Sequence, residues 1–212
     1  MEHLVRVVGP VATNVHLLAD PRTREAIAID TAIPSVAWLA DELAARDWTL
    51  KLIVTTHGHW DHIGDNAALA AHTGAAIAVH PLDAHRLTDP QPLYAPFPIP
   101  PCVPAVDLAE GGEIRFGEIR LMVWHTPGHT EGSVCLYARD DGLLFSGDTL
   151  FAGGWGRVDF PGGDPAAMVA SIGRLTDLED RVTVHPGHGR STTIERERPW
   201  MELVRDGGRL LV

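Results

Sequence analysis

Cysteine is almost missing from this chain. Cys102 and Cys135 are the two present in 212 residues, one in a proline-rich stretch and one in an apolar run, which supports neither a disulfide framework nor a thiolate metal site. Positive charge is also scarce: 17 Lys and Arg stand against 28 Asp and Glu, a formal charge of −11. A nucleic-acid partner, which relies on clustered cations, is therefore not expected. No apolar run reaches the roughly eighteen residues of a membrane span, and the opening MEHLVRVVGPVATN lacks a basic stretch followed by an apolar one. These absences predict a cytoplasmic protein without a membrane partner. A repeat of about 20–50 residues is absent too, which removes solenoids and propellers.

The remaining composition is that of a globular protein, 45% hydrophobic and 21% charged. One domain can hold a chain of this length, and residues 1–212 are read as one domain, as a monomer or small homo-oligomer. The twelve histidines are in excess of anything that packing requires, and they are unevenly placed.

Alternating or apolar β-rich runs occur at 4–8, 14–19 and 25–30, separated by Gly-Pro and Asp-Pro turn signals. Residues 33–46 have the apolar spacing of an amphipathic helix, 51–55 read as a short buried strand, 61–72 as a helix and 76–79 as a strand. Seven prolines between Pro90 and Pro104 forbid helix or central strand there, and this crossing loop is taken as the seam between two halves. Beyond it, 113–127 reads as a hairpin turning at Gly117, 133–138 and 142–147 as strands, 164–175 as a helix, and 182–187 as a last strand before a helix near 192–204. Each half thus has several strands and a histidine at a strand's C-terminal end, a weak internal duplication.

Four segments place a metal-capable side chain directly after an apolar run: TTHGHWDHIG (55–64), TPGHTEGS (126–133), FSGDTLFAGG (145–154) and HPGHGR (185–190). Residues two apart in an extended chain point the same way, so His57 and His59 can face one ion. Asp61 and His62, one turn further on, can face a second ion roughly 3.5–4 Å away. His129 and His188 follow Pro-Gly turns that let the backbone approach closely, and Asp148 can bridge two ions through its two oxygens. Imidazole and carboxylate suit zinc or iron. A single-ion site, with Asp61 or His188 merely structural, is the competing arrangement. His3, His16, His72, His80, His85, His125 and His185 are read as ordinary surface or core residues.

This ordered set resembles the metallo-β-lactamase superfamily over roughly residues 7–200. The resemblance implies an α/β fold, a four-layer αββα sandwich of two pseudo-duplicated halves with the metal site at the C-terminal edge of the strands. It implies His57, His59 and His129 at one divalent ion, Asp61, His62 and His188 at a second, and Asp148 between them. Zinc is the first choice, with iron or manganese as alternatives. A hydroxide bridging the ions would attack the substrate, with Asp148 fixing the metal separation and Asp61 orienting the hydroxide or handling its proton, so both are candidate catalytic residues.

Within that superfamily, SGDTLFAGGWGRVDFPGGD, PGHG and TIERERPW look like the short branch similar to glyoxalase II, the hydroxyacylglutathione hydrolases. The implied reaction is hydrolysis of a thioester of a small thiol to acid and free thiol. Arg157 matches a lysine of that family and is a candidate for holding a substrate carboxylate, with a salt bridge to Asp159 or Asp164 as the alternative. Asp159 and Arg190 stand where that family has aromatic residues, and no C-terminal helical domain follows Arg190, so the thiol is left open. Trp155 is expected to wall the acyl pocket, Trp60 to pack outward, and Asp30 to accept from a ligand imidazole or cap a helix. The chain is also similar to persulfide dioxygenases, which would use one iron on His57, His129 and Asp148. A lactonase or other ester or amide hydrolase is a further alternative.

Overall fold

The computed structural model describes residues 1–90 and 94–208. Its first sheet has six strands in sequence order: β1 (Glu2–Val8), β2 (Thr13–Asp20), β3 (Glu25–Ile29), β4 (Thr49–Val54), β5 (Ala76–Val79) and β6 (Val106–Asp107). The second also has six: β7 (Glu113–Phe116), β8 (Ile119–His125), β9 (Val134–Ala138), β10 (Leu143–Gly147), β11 (Thr183–Pro186) and β12 (Thr192–Thr193). Each sheet opens with antiparallel hairpins and then adds a parallel strand across a helix, α1 (Val36–Arg46) for β3 to β4 and α5 (Pro165–Leu175) for β10 to β11. The duplication read from the sequence corresponds to these two sheets.

Strand periodicity sorts the core into layers, because successive side chains leave a strand on opposite faces. Leu18, Ile27, Ile29 and Val54 point inward and meet Phe116, Leu121, Leu136 and Phe145 from the other sheet. Their neighbours Leu17, Ala28 and Ile53 point outward and pack under α1 and α3 (Asn66–Thr73), through Trp38, Leu39, Leu43 and Leu69. On the far side, Cys135, Tyr137 and Leu144 pack under α5 and α6 (Ile194–Arg205). Four layers, αββα, follow from a two-residue alternation. Each fully buried Leu, Ile or Phe contributes about 1.5–3 kcal/mol relative to exposure.

Two sequence expectations are corrected. The helix read over 61–72 is split into α2 (Trp60–Ile63) and α3. The break lies at Gly64 and Asp65, because Asp65 Oδ2 accepts the backbone N–H groups of Ser35 at 2.6 Å and Val36 at 3.1 Å, capping α1. The seam between halves is not at Pro90–Pro104: the chain still belongs to the first sheet at β6, held by Ala105 N–H on Ile77 O and Leu108 N–H on Val79 O. The crossing lies at 108–112. Residues 94–104 contain no helix or strand, as their prolines require, whereas 91–93 fall outside the described residues. A short helix, α4 (Ala84–Thr88), precedes them and was not read from the sequence.

Among the described residues no helix is long and apolar enough to cross a membrane.

Candidate metal centre

The four motif segments follow the C-terminal ends of β4, β8, β10 and β11, and these ends lie at one edge of the sandwich. Inter-sheet hydrogen bonds hold them there. Val134 N–H donates to Thr56 O at 2.9 Å, and Asn14 Nδ2 donates to Pro186 O at 2.8 Å and Gly189 O at 2.9 Å on either side of His188. Thr56 is fixed by Asp30, which accepts its N–H and its hydroxyl, each at 2.8 Å.

All seven expected ligands come together. Nitrogen and oxygen atoms of His57, His59 and His129 form one group, those of Asp61, His62 and His188 another, and Asp148 joins His57 and His62 in a third. His59 Nδ1 lies 2.8 Å from His129 Nε2, and His62 Nε2 lies 3.2 Å from His188 Nε2. Asp61 Oδ2 is 3.1 Å from His188 Nε2. Asp148 spans the two groups: its Oδ1 is 3.5 Å from His62 Nε2 and its Oδ2 is 3.5 Å from His129 Nε2.

Two observations test whether cations suit this set. His57 Nε2 and Asp148 Oδ1 are buried without a hydrogen-bond partner, and a buried orphan lone pair costs about 1–3 kcal/mol unless something positive meets it. Four imidazoles also have their other ring nitrogen satisfied. His57 Nδ1 faces Thr56 Oγ1 at 3.1 Å, His62 Nδ1 faces Asp30 Oδ2 at 3.0 Å, His129 Nδ1 faces Arg157 O at 2.7 Å and His188 Nδ1 faces Val11 O at 3.1 Å. That arrangement leaves Nε2 of each directed at the common centre, the orientation of a metal ligand. His59 differs in presenting Nδ1.

The electrostatics divide the site. Burial, and then the neighbouring imidazoles, push His57 well below its usual value, and burial followed by His129 takes His59 to about 2. Both are neutral, as ligands must be. In His62 burial is opposed and outweighed by Asp61, Asp148 and Asp30, which hold its proton; in Asp61 burial is outweighed by His62 and His188, which keep it ionised. The second group is therefore a carboxylate–imidazole cluster in which a cation would replace a proton.

The backbone accommodates these contacts through glycine. A Cβ on Gly187 would sit 2.3 Å from Asp148 Oδ1, and one on Gly128, at φ +138, would sit 2.5 Å from the Met168 backbone. Neither position tolerates a side chain.

Asp83 was not singled out in the sequence. It is fully buried and accepts Gly58 N–H at 2.6 Å, Thr130 Oγ1–H at 2.8 Å and Gly132 N–H at 2.9 Å. It thereby joins the loop of His57 and His59 to the loop of His129. Its donors lie far apart in sequence, so no local signal points to it.

A cavity of about 910 Å³ opens over the metal-capable residues. Arg157 lines it, but its guanidinium forms a two-point pair with Asp159 at 2.7 and 2.8 Å and lies 3.6 Å over the Phe160 ring. Trp155 does not line the cavity: it packs in the outer core with its ring 5.7 Å from Trp200, so the expectation of an acyl wall there is corrected. Trp60 does line it, while also packing edge-on against Phe97. Tyr94 and Phe160 are the aromatic residues near Arg157, and Arg190 is exposed outside the cavity.

Known proteins are similar to this chain over most of its length. The family model described as the metallo-beta-lactamase superfamily matches residues 8–191. A hydroxyacylglutathione hydrolase of Maricaulis maris is 35% identical over 188 residues, covering 88% of this chain and 66% of that enzyme. The crystal structure of BLEG-1 B3 metallo-beta-lactamase superposes with a TM-score of 0.86 at 33% identity, over 93% of this chain and 97% of that one. The structure of TTHA1623 in a di-iron-bound form gives 0.76 at 33% identity, over 92% and 96%.

Proposed function

The chain belongs to the metallo-beta-lactamase superfamily, and from that premise we propose that it is a binuclear metallohydrolase that cleaves thioesters of a small thiol into acid and free thiol. The observation that carries the reading is Asp148, whose two oxygens reach His129 on one side and His62 on the other. One ion would be held by His57, His59 and His129, a second by Asp61, His62 and His188, with Asp148 shared. Zinc suits the donor set, as do iron and manganese, and the di-iron form of TTHA1623 keeps iron in view. Two such cations supply Lewis-acid polarisation of an acyl carbonyl and a water of near-neutral pKa.

The side chains of this protein supply the rest. Asp61 Oδ2, held ionised by His62 and His188, within 3.4 Å of the Thr13 hydroxyl and lining the cavity, would orient the attacking water as a hydrogen-bond acceptor. Asp148 fixes the separation of the two groups. No Ser or Cys lines the cavity among the described residues, and Cys135 is buried with its thiol pushed up to about 11. This supports attack by water rather than by a hydroxyl or thiol side chain. Arg157 exchanges Asp159 for a carboxylate on the thiol arm, by two-point hydrogen bonds.

The test is metal analysis of the purified protein coupled to turnover of S-lactoylglutathione and of a panel of other thioesters, lactones and β-lactams. Two divalent ions per chain with thioesters preferred supports the proposal. One iron per chain with sulfite released from a thiol persulfide would overturn it in favour of a dioxygenase on His57, His129 and Asp148.

A further inference from the structure

The cavity has two chemically different ends. Beside His59 and His129 lie Arg86, Glu131, Arg157, Tyr94 and Phe160: Phe160 is 5.9 Å from the His59 ring, and Arg86 Nη2 donates to Glu131 Oε2 at 2.8 Å and to Pro161 O at 2.9 Å. This end is charged and amphipathic. Beside His188, Asp61 and His62 the wall is apolar. Val11 lies over His188, its carbonyl accepting from that ring at 3.1 Å, Phe151 stands 6.3 Å from the same ring, and Ile63 follows His62 in α2.

We infer that Val11, Ile63 and Phe151, with Trp60 beside them, form an acyl subsite that selects unsubstituted aliphatic acyl groups over short 2-hydroxyacyl groups. The inference rests on the hydrolase reading above and adds the acyl specificity.

Polarity carries the argument. Among the described residues lining the cavity there is no Ser, Thr, Asn or Gln. A hydroxyl carried past Asp61 and His188 meets the side chains of Val11, Ile63 and Phe151, none of which can donate or accept, so its desolvation there is uncompensated. A methylene there leaves water for an apolar wall and gains.

The wall is also held in place. Phe151 N–H donates to Gly154 O at 2.7 Å, and Gly153 N–H donates to the buried Glu197 of α6 at 2.8 Å. Glu197 is itself tied to Thr192 Oγ1 at 2.5 Å and Trp200 Nε1 at 2.6 Å. Phe151 is therefore presented by an ordered hairpin, and a ligand pays little to organise it.

The experiment uses the metal-loaded protein with N-acetylcysteamine thioesters of acetate, butyrate, hexanoate and 2-hydroxybutyrate, the matching p-nitrophenyl esters, and calorimetric binding of the free carboxylates. Expected are a kcat/KM rising roughly two- to fourfold per methylene from acetyl to hexanoyl, a 2-hydroxybutyryl ester slower than butyryl, and hexanoate bound more tightly than acetate. Phe151→Ala and, independently, Val11→Asn flatten these slopes. Thioesters turned over with a flat or falling chain-length dependence would overturn the subsite and leave the thioesterase reading standing. Inert thioesters beside p-nitrophenyl esters that keep the slope would overturn the thioesterase reading and support the subsite. If nothing turns over, hexanoate binding no tighter than acetate overturns it.

Discussion

Asp30 Oδ2 lies 3.0 Å from His62 Nδ1, and both side chains are buried. The carboxylate fixes the imidazole so that Nε2 faces Asp61, Asp148 and His188, and the same carboxylate holds Thr56, the residue before His57. One side chain thus orients ligands of both groups. Asp30→Asn is expected to lower metal affinity by about 10- to 100-fold while the protein stays folded, measured by competition with a chromogenic chelator.

Asp148→Ala removes the group shared between the two sets. Metal content should fall from two ions per chain toward one or none, and turnover should drop by more than the roughly 100-fold of an outer-sphere change. Elemental analysis and thioester kinetics on the same preparation check both. Full activity with two ions retained would contradict the bridging role.

Asp83→Ala leaves the buried Gly58 and Gly132 N–H groups without acceptors. At about 1–3 kcal/mol for each unsatisfied group, a loss of roughly 2–6 kcal/mol in denaturant-derived stability is expected. Because Gly58 stands between His57 and His59, the variant should bind metal more weakly as well.

His3 packs against Phe145 and His185, and burial, with His185 second, pushes its pKa from 6.5 to about 4. Between those values the unfolded chain takes up a proton that the folded chain refuses. The contribution of His3 to stability is therefore complete above pH 6.5, declines as pH falls toward 4 and levels off below. Burial lowers His16 and His185 as well, which steepens the decline. Tm recorded from pH 7.5 to 4 should show this slope, and His3→Gln should make it shallower.

Arg157→Ala is expected to raise KM about two- to tenfold for thioesters whose thiol carries a carboxylate, a modest effect because the exposed guanidinium already pairs with Asp159. For thioesters without a carboxylate neither kcat nor KM should change.

Much of this architecture was legible because its signals are local. His57, His59, Asp61 and His62 occupy six consecutive positions after an apolar strand, and α5 declares itself by apolar spacing and by Asp164, whose side chain accepts from Ala166 and Ala167. What escaped depends on distant partners. The break between α2 and α3 follows from Asp65 reaching Ser35 and Val36, and Asp83 acquires its meaning from donors at 58, 130 and 132. Trp155 was misplaced because local sequence does not reveal which side of its loop faces α6; there it meets Trp200. The two-residue strand β6 is too short for any periodicity.

His57, His59, Asp61 and His62 extend from the first sheet, whereas His129, Asp148 and His188 extend from the second. Neither half of the molecule owns a complete coordination set, so bound cations would act as a cross-brace between the halves as well as reagents. Ligand binding to the folded state alone stabilises it by about 4 kcal/mol when free metal exceeds Kd a thousandfold. Chelation should accordingly cost this protein thermal resistance, and two separately produced halves should pair far better with zinc in the buffer than without it.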